Sequence, residues 1–307
     1  MIDIKENLPL APYTTFEIGG SGAYFCAVTS EDELRETLAW AKEHAKPFFI
    51  LGGGSNVLVR DEGFDGLVIH MNMKQHTIEG QSMTLEAGCV LKDSIDEAAK
   101  VGLGGWEKLA GIPGTVGGAA RGNAGAFGTE IKDVTREVVA LHTKTGERTA
   151  FTVSECDFGY RQSFFKSNPE WAIVSVTVDL EKVDADKSQA LISETVAERE
   201  KRHLQHVRAA GSFFMNPIAP PRVVAQFETE KQTTARENRV PAGWLIEKVG
   251  LKGTRIGGAI ASMQHPNYLV NDSGDAKAHE ILELSTKIKS AVKAEFDIEL
   301  HEEVSML

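Results

Sequence analysis

The chain has 307 residues, 42% of them hydrophobic and 25% charged, which is the composition of an ordinary folded protein and not of a disordered, collagenous or disulfide-rich one. At roughly 150 residues per domain, the length suggests about two domains and a core that needs no disulfide or metal to be stable. Lys and Arg total 33 against 44 Asp and Glu, so the net charge of −11 disfavours a broad nucleic-acid or anionic-membrane surface but allows a small basic pocket.

No apolar run of about 18 residues occurs, so no membrane span is expected. The opening residues MIDIKENLPLAPY lack the basic and apolar regions of a secretory signal, which points to a cytoplasmic protein. Cys26, Cys89 and Cys156 are widely spaced and form no CxxC pair. They read as reduced thiols and argue against a zinc or iron–sulfur site.

Ser30 followed by Glu33 has the form of a capping box, and Leu34, Leu38 and Ala41 continue at helical spacing, so 31–44 reads as an amphipathic helix. Phe48–Leu51 reads as a buried strand that enters Gly52-Gly53-Gly54-Ser55-Asn56, and Val57–Val59 is again strand-like. Strands are expected around 67–69 and 83–85, then a helix over 91–101 stopped by Gly102. Residues 104–128 read as a glycine-rich loop. The segments 138–142 and 147–153 flank Thr143-Lys144-Thr145-Gly146 as a hairpin. Val174, Val176, Val178 and Leu180 alternate with Ser175, Thr177 and Asp179, the pattern of a half-buried strand. Residues 186–206 read as a polar helix leaving the first domain. Helices follow over 241–249, between Pro241 and Gly250, and over 276–295 with Asp275 as cap; the tail 298–304 reads as a strand.

The first glycine loop fails the usual dinucleotide fingerprint, because GGGSN is not GxGxxG and no helix follows it. It is either a tight strand–strand turn or a place where backbone N–H groups converge on an anion, with Ser55 and Asn56 as added donors. A second glycine-rich stretch, Gly111-Ile112-Pro113-Gly114-Thr115-Val116-Gly117-Gly118 running into Asn123-Ala124-Gly125, is too costly in chain entropy for a mere connector. Two such loops suggest one extended ligand held between them, and a flavin dinucleotide fits that description.

With these loops, the segments Tyr13-Thr14-Thr15-Phe16, Tyr160-Arg161-Gln162-Ser163, Ala210-Gly211-Ser212-Phe213-Phe214-Met215-Asn216-Pro217 and Pro241-Ala242-Gly243-Trp244-Leu245-Ile246-Glu247 resemble, in order along almost the whole chain, the UDP-N-acetylenolpyruvoylglucosamine reductase family. The resemblance implies an α+β fold: a two-part FAD-binding domain of the vanillyl-alcohol-oxidase (PCMH) type, over 1–72 and 73–205, and a C-terminal α+β substrate-binding domain over 206–307. It implies non-covalent FAD, NADPH as co-substrate, a UDP-sugar enolpyruvyl ether as substrate, and a monomer acting in peptidoglycan synthesis with no nucleic-acid or membrane partner.

By the same resemblance Ser212 is the proton donor, Arg161 faces the substrate carboxylate and Glu303 is the catalytic acid, with Glu302 beside it as the competing choice. Read from the residues alone, Ser212 is a turn residue and Arg161 a solvent-facing arginine. The resemblance assigns Gly52, Gly53, Gly54, Ser55, Asn56, Pro113, Gly114, Thr115, Gly117, Gly118, Asn123 and Gly125 to the cofactor, and Tyr160 and Asn216 to the substrate. The chain departs from the family where a basic residue often follows the two phenylalanines: here it is Met215. Lys252 or Arg255 is then the candidate for the substrate diphosphate, although with Lys248 these residues equally read as a solvated face. The short stretch between Arg161 and Trp171 leaves no room for the tyrosine-bearing loop of one subclass and points to the shorter one. His265 reads as a lone packed or surface residue, and Trp106 and Trp244 as packing residues. Two other readings stand beside this one: an oxidase of the same fold acting on a small alcohol or sugar, and a nucleotide-binding regulatory protein that uses only the loops.

Overall fold

Ser30 starts the first helix as its sequence predicts. In a computed structural model that describes residues 2–201 and 207–307, α1 spans Glu31–Glu43, and the Ser30 hydroxyl accepts from the Glu33 N–H at 3.2 Å. The return bond of a capping box is shifted by one residue: the Glu33 carboxylate accepts from the N–H of Thr29 at 2.7 Å, not from that of Ser30. Leu34, Leu38 and Ala41 are the buried stripe, as their spacing requires.

The chain divides into two units, each with its own core. The first comprises Met1–Leu8, Gly22–Gly54 and Asp65–Lys201, and the second Pro9–Ser21, Ser55–Phe64 and Arg202–Leu307. The first unit contains two larger sheets. One has the strand order Lys5–Pro9, Ser21–Val28, Phe64–Met71, Phe48–Leu51, with the last pair parallel. The other is antiparallel, in the order Arg148–Thr152, Thr135–His142, Trp171–Asp179, Ser82–Glu86, His76–Glu79. The expected hairpin is present, with Leu141 opposite Arg148. Trp171–Asp179 is the central strand of five, and both of its faces are covered, because Ser175 and Thr177 are buried as well as Val174, Val176 and Val178; this corrects the half-buried reading. The Thr177 hydroxyl is satisfied by that of Thr84 at 3.1 Å.

Helix α2 (Leu91–Lys100) ends before Gly102, whose φ of +74° suits glycine. The glycine-rich stretch is not all loop. Val116–Gly122 forms α3, with the Thr115 hydroxyl capping the N–H of Gly118 and Asn123 in the left-handed region at its end. Glycine inside a helix costs about 1 kcal/mol. Gly117 is tolerated because α3 packs so close to the 86–88 turn that a Cβ there would lie 2.7 Å from the Ala87 methyl. A short α4 (Phe164–Ser167) precedes the central strand, and α5 (Ala185–Lys201) follows the sheet. The remainder of the helix expected to residue 206 lies outside the described residues.

The second unit contains α6 (Pro221–Lys231), which the sequence reading missed, α7 (Ala242–Lys248) between Pro241 and Gly250 as predicted, and α8 (Ala278–Phe296). Helix α8 packs on a three-stranded sheet, Arg255–Ile256, Ala259–Ala261 and Leu269–Asn271. Asp275 does not cap α8. Instead Asp61, 217 residues away in sequence from Ala278, accepts from the N–H of Ala278 at 2.7 Å and of His279 at 3.0 Å. The tail strand is also shorter and later than expected: Ser305–Met306 pairs in parallel with Val57–Leu58, and 298–304 is irregular although Ile298, Leu300 and Val304 are buried. Trp106 and Trp244 are buried, as expected.

Candidate active site

In the first unit the strand Phe48–Leu51 delivers Gly52-Gly53-Gly54 against Gly114-Thr115. A Cβ on Gly52 would lie 2.9 Å from the Thr115 hydroxyl oxygen, and one on Gly53 would lie 2.9 Å from the Gly114 Cα. Gly53 therefore meets Gly114 main chain to main chain while Gly52 faces the Thr115 side chain, and side chains at these positions would push the loops apart. Gly54 and Gly114 turn with φ of +63° and +115°. The second loop is pinned to the turn before α2 by Leu91 N–H to Gly114 C=O (3.1 Å), Val116 N–H to Cys89 C=O (2.9 Å) and Gly117 N–H to Ala87 C=O (3.0 Å).

These bonds also engage part of the expected cofactor set. The amides of Gly117 and Gly118 are taken, by Ala87 C=O and by the Thr115 hydroxyl, so both glycines shape α3 and do not present an N–H to a ligand. Asn123 is wholly buried, and its amide donates to Glu130 (3.0 Å) and to Gly159 C=O (2.9 Å), which ties α3 to the Tyr160 segment. Gly125 lies in a small hairpin with Thr129–Glu130, where a Cβ would come 2.8 Å from Glu130 Cγ. Its carbonyl accepts from Arg161 Nη2 at 3.2 Å. Arg161 has φ of +55°, and its guanidinium lies 5.5 Å from the Tyr160 ring centre, so a carbonyl and an aromatic face set its direction.

In the second unit, Ser212 follows Gly211, whose φ of +73° turns the chain. The next residues are clamped from two sides. Phe213 N–H donates to Asn267 C=O (2.7 Å), Phe214 N–H to Asn267 Oδ1 (3.0 Å), and Asn267 Nδ2 to Phe214 C=O (2.8 Å). On the other side, Met215 N–H donates to His301 C=O (2.9 Å), and Glu303 N–H to Phe213 C=O (2.8 Å). Asn56, expected at the cofactor, donates instead to Glu303 C=O at 3.1 Å and holds this terminal segment. Glu302 is committed elsewhere. It accepts from Lys289 at 2.9 Å, and although burial opposes its ionisation, the hydrogen bonds it accepts from Lys289, Ser285 and main chain, with the Lys289 charge, together hold its carboxyl below the usual range.

Ser212 opens onto a cavity of about 350 Å³ in the second unit, lined also by Asn216, Lys231, Trp244, Glu247 and His265. Asn216 Oδ1 accepts from Ala242 N–H at 3.0 Å and so also fixes the start of α7. The expected diphosphate cations are not in this lining. Lys252 pairs with Glu247 at 3.0 Å, and Arg255 pairs with Asp272. His265, passed over as a lone histidine, is part of the wall and packs edge-on against Tyr268. Two residues the sequence reading missed are Asn267, the clamp, and Lys231, the cavity's lysine. The His-Pro-Asn triplet was the available signal for Asn267. Nothing local marked Lys231, because α6 itself was not read. Among the described residues no cluster of His, Cys, Asp or Glu suits a metal ion, and no helix is long and apolar enough to cross a membrane.

Loops meeting as one main-chain edge suit a cofactor held by peptide groups, as FAD is when its phosphates meet backbone amides. Residues 22–149 match the family model described as FAD binding domain, so the first unit is a flavin-binding domain and the protein an FAD-dependent oxidoreductase. Residues 202–307 match the model described as UDP-N-acetylenolpyruvoylglucosamine reductase, C-terminal domain. Two reductases of that name are similar over nearly full length: one from Solibacter usitatus, 35% identical over 98% of this chain and 96% of the relative, and one from Carboxydothermus hydrogenoformans, 36% identical over 99% and 94%. The crystal structure of the Thermus caldophilus reductase is 31% identical, covers 100% of this chain and 99% of its own, and superposes with a TM-score of 0.79. The chain belongs to the UDP-N-acetylenolpyruvoylglucosamine reductase family.

Proposed function

We propose that the chain catalyses the NADPH-dependent reduction of UDP-N-acetylglucosamine enolpyruvate to UDP-N-acetylmuramate, a precursor of peptidoglycan and hence of cell shape and division. Bound FAD supplies hydride transfer, from NADPH to C3 of the enol ether. The chain's own residues bind, orient and protonate. Gly53, Gly54 and Gly114 offer main chain to the cofactor, with Ser55 beside them.

Ser212 gives its proton to C2. A hydroxyl is a weak acid, so it can donate only to a strongly basic carbon, and the enolate-like species left by hydride addition at C3 is one. Arg161 receives the carboxylate on which charge develops, with a planar fork that matches it. Glu303 stabilises the same group by sharing a proton, since two bare carboxylates repel. One observation carries this reading: Ser212 faces a cavity while the next residue, Phe213, is hydrogen-bonded at 2.8 Å to the main chain of Glu303. The acid at 303 is preferred to that at 302 because Lys289 holds the latter. Acting on a soluble nucleotide sugar with NADPH, the enzyme works in the cytoplasm as a monomer.

The test is anaerobic. NADPH should bleach the flavin, and the enolpyruvyl nucleotide sugar should then restore its colour and yield UDP-N-acetylmuramate. Reoxidation only by oxygen, with a small alcohol or sugar as electron source, would assign the chain to the oxidases. Acid precipitation should leave a colourless pellet, because neither glycine loop carries a His or Cys to attach the flavin.

A further inference from the structure

The wall of the Ser212 cavity raises a question of charge. A nucleotide sugar brings a diphosphate of about two negative charges to a chain whose net charge is −11, so a local cation is needed to receive it. Met215, where the family resemblance leads one to expect a basic residue, has no charge. Lys252 and Arg255 are paired with Glu247 and Asp272 and do not line the cavity.

We propose that Lys231, at the last turn of α6, is the residue that receives the substrate diphosphate in this chain. The proposal rests on reading the Ser212 cavity as the substrate site. Lys231 is the only lysine or arginine in the cavity wall among the described residues. The nearest carboxylate paired with it is that of Glu230, at 3.9 Å, and Glu230 is itself held by Lys248 at 2.5 Å. Glu247, the carboxylate in the same wall, is neutralised by Lys252 at 3.0 Å. The positive charge of Lys231 is therefore the one that the surrounding pairs leave to the cavity. The Lys231 side chain is 45% exposed, so it stands at the rim, where a flexible ammonium can meet an incoming phosphate as a point charge. Its helix runs from Pro221 to Phe227, which also lines the cavity, and on to Lys231, so one face of α6 supplies both an apolar wall and a charged rim.

The test compares UDP with uridine, by calorimetry on the FAD-loaded enzyme. Lys231→Met should weaken UDP binding about tenfold, the loss expected for one charge-assisted contact, and leave uridine unchanged. The KM for the enolpyruvyl nucleotide sugar should rise by a similar factor with kcat changed less than about twofold, the mark of binding lost equally in ground and transition states. Lys231→Arg should keep most of the affinity, and both variants should melt as the parent does. UDP affinity unchanged in Lys231→Met, or a loss of the same size for uridine, overturns the proposal. If the parent enzyme turns over the nucleotide sugar while Lys231→Met binds UDP normally, only Lys231 is reassigned; if the parent cannot turn it over, the reading of the cavity falls.

Discussion

The glycine loops of the first unit and the Ser212 segment of the second are both irregular, yet they are held in opposite ways. The loops are fixed by what they lack: Gly52 and Gly53 let two main-chain segments touch Thr115 and Gly114 at distances that no side chain would allow. The Ser212 segment is fixed by what it gains, a set of hydrogen bonds from Asn267 on one side and from 301–303 on the other. The two regions should therefore fail differently when altered. Added atoms harm the first, and removed donors harm the second.

The largest effect is expected at Gly53→Ala. Its methyl would press on the Gly114 Cα, an overpacking of about 1–3 kcal/mol that separates the loops. The purified variant should hold little flavin, read as visible absorbance per mole of protein, and both half-reactions should disappear together. Full flavin content would mean that the contact between the loops does not matter to the cofactor. Next comes Asn267→Ala, which strands the buried N–H and C=O of Phe214 at about 1–3 kcal/mol each. Its flavin content should stay normal while the melting temperature falls and the second half-reaction slows; lost flavin would blur the division between the regions.

A smaller effect concerns pH. The Glu302 carboxyl is depressed below its ordinary value of 4.5 in the fold, mainly through Lys289 acting against the cost of burial. The stability it contributes is full above that ordinary value and is lost as pH falls through the lowered folded value. Glu302→Gln should lower the melting temperature in the neutral region, leave the acid end little changed, and so flatten the acid limb of the profile. An acid limb identical to the parent's would show the pair to be without weight. The smallest effect is at the cysteines. Burial, with Glu86 and Glu155 nearby, pushes Cys89 and Cys156 up to about 11 and about 12. Thiol reagents at neutral pH should leave activity intact until the protein unfolds.

Local chemistry in the sequence made much of the fold legible. Ser30 with Glu33 marks α1, Thr143–Gly146 marks the hairpin, and Pro241 with Gly250 brackets α7, each because the signal lies within a few residues of its effect. What escaped depends on distant partners. The cap of α8 comes from Asp61, the glycine run hides α3 because its packing on Ala87 is tertiary, and Ser175 and Thr177 are buried on a face that the local alternation reads as open. At the site, the motif asparagines show local structural bonds that the sequence did not reveal. Asn56, Asn123 and Asn216 stand in motif positions, yet each uses its side chain to hold another segment in place. Lys231 carries no motif.

The most direct test is to time the two half-reactions separately in Ser212→Ala. If backbone of the first unit holds the flavin while Ser212 acts only on the substrate, reduction by NADPH should proceed at the parent rate, and proton-coupled reoxidation by the nucleotide sugar should slow by about 10²–10⁴. Equal slowing of both steps would contradict that division.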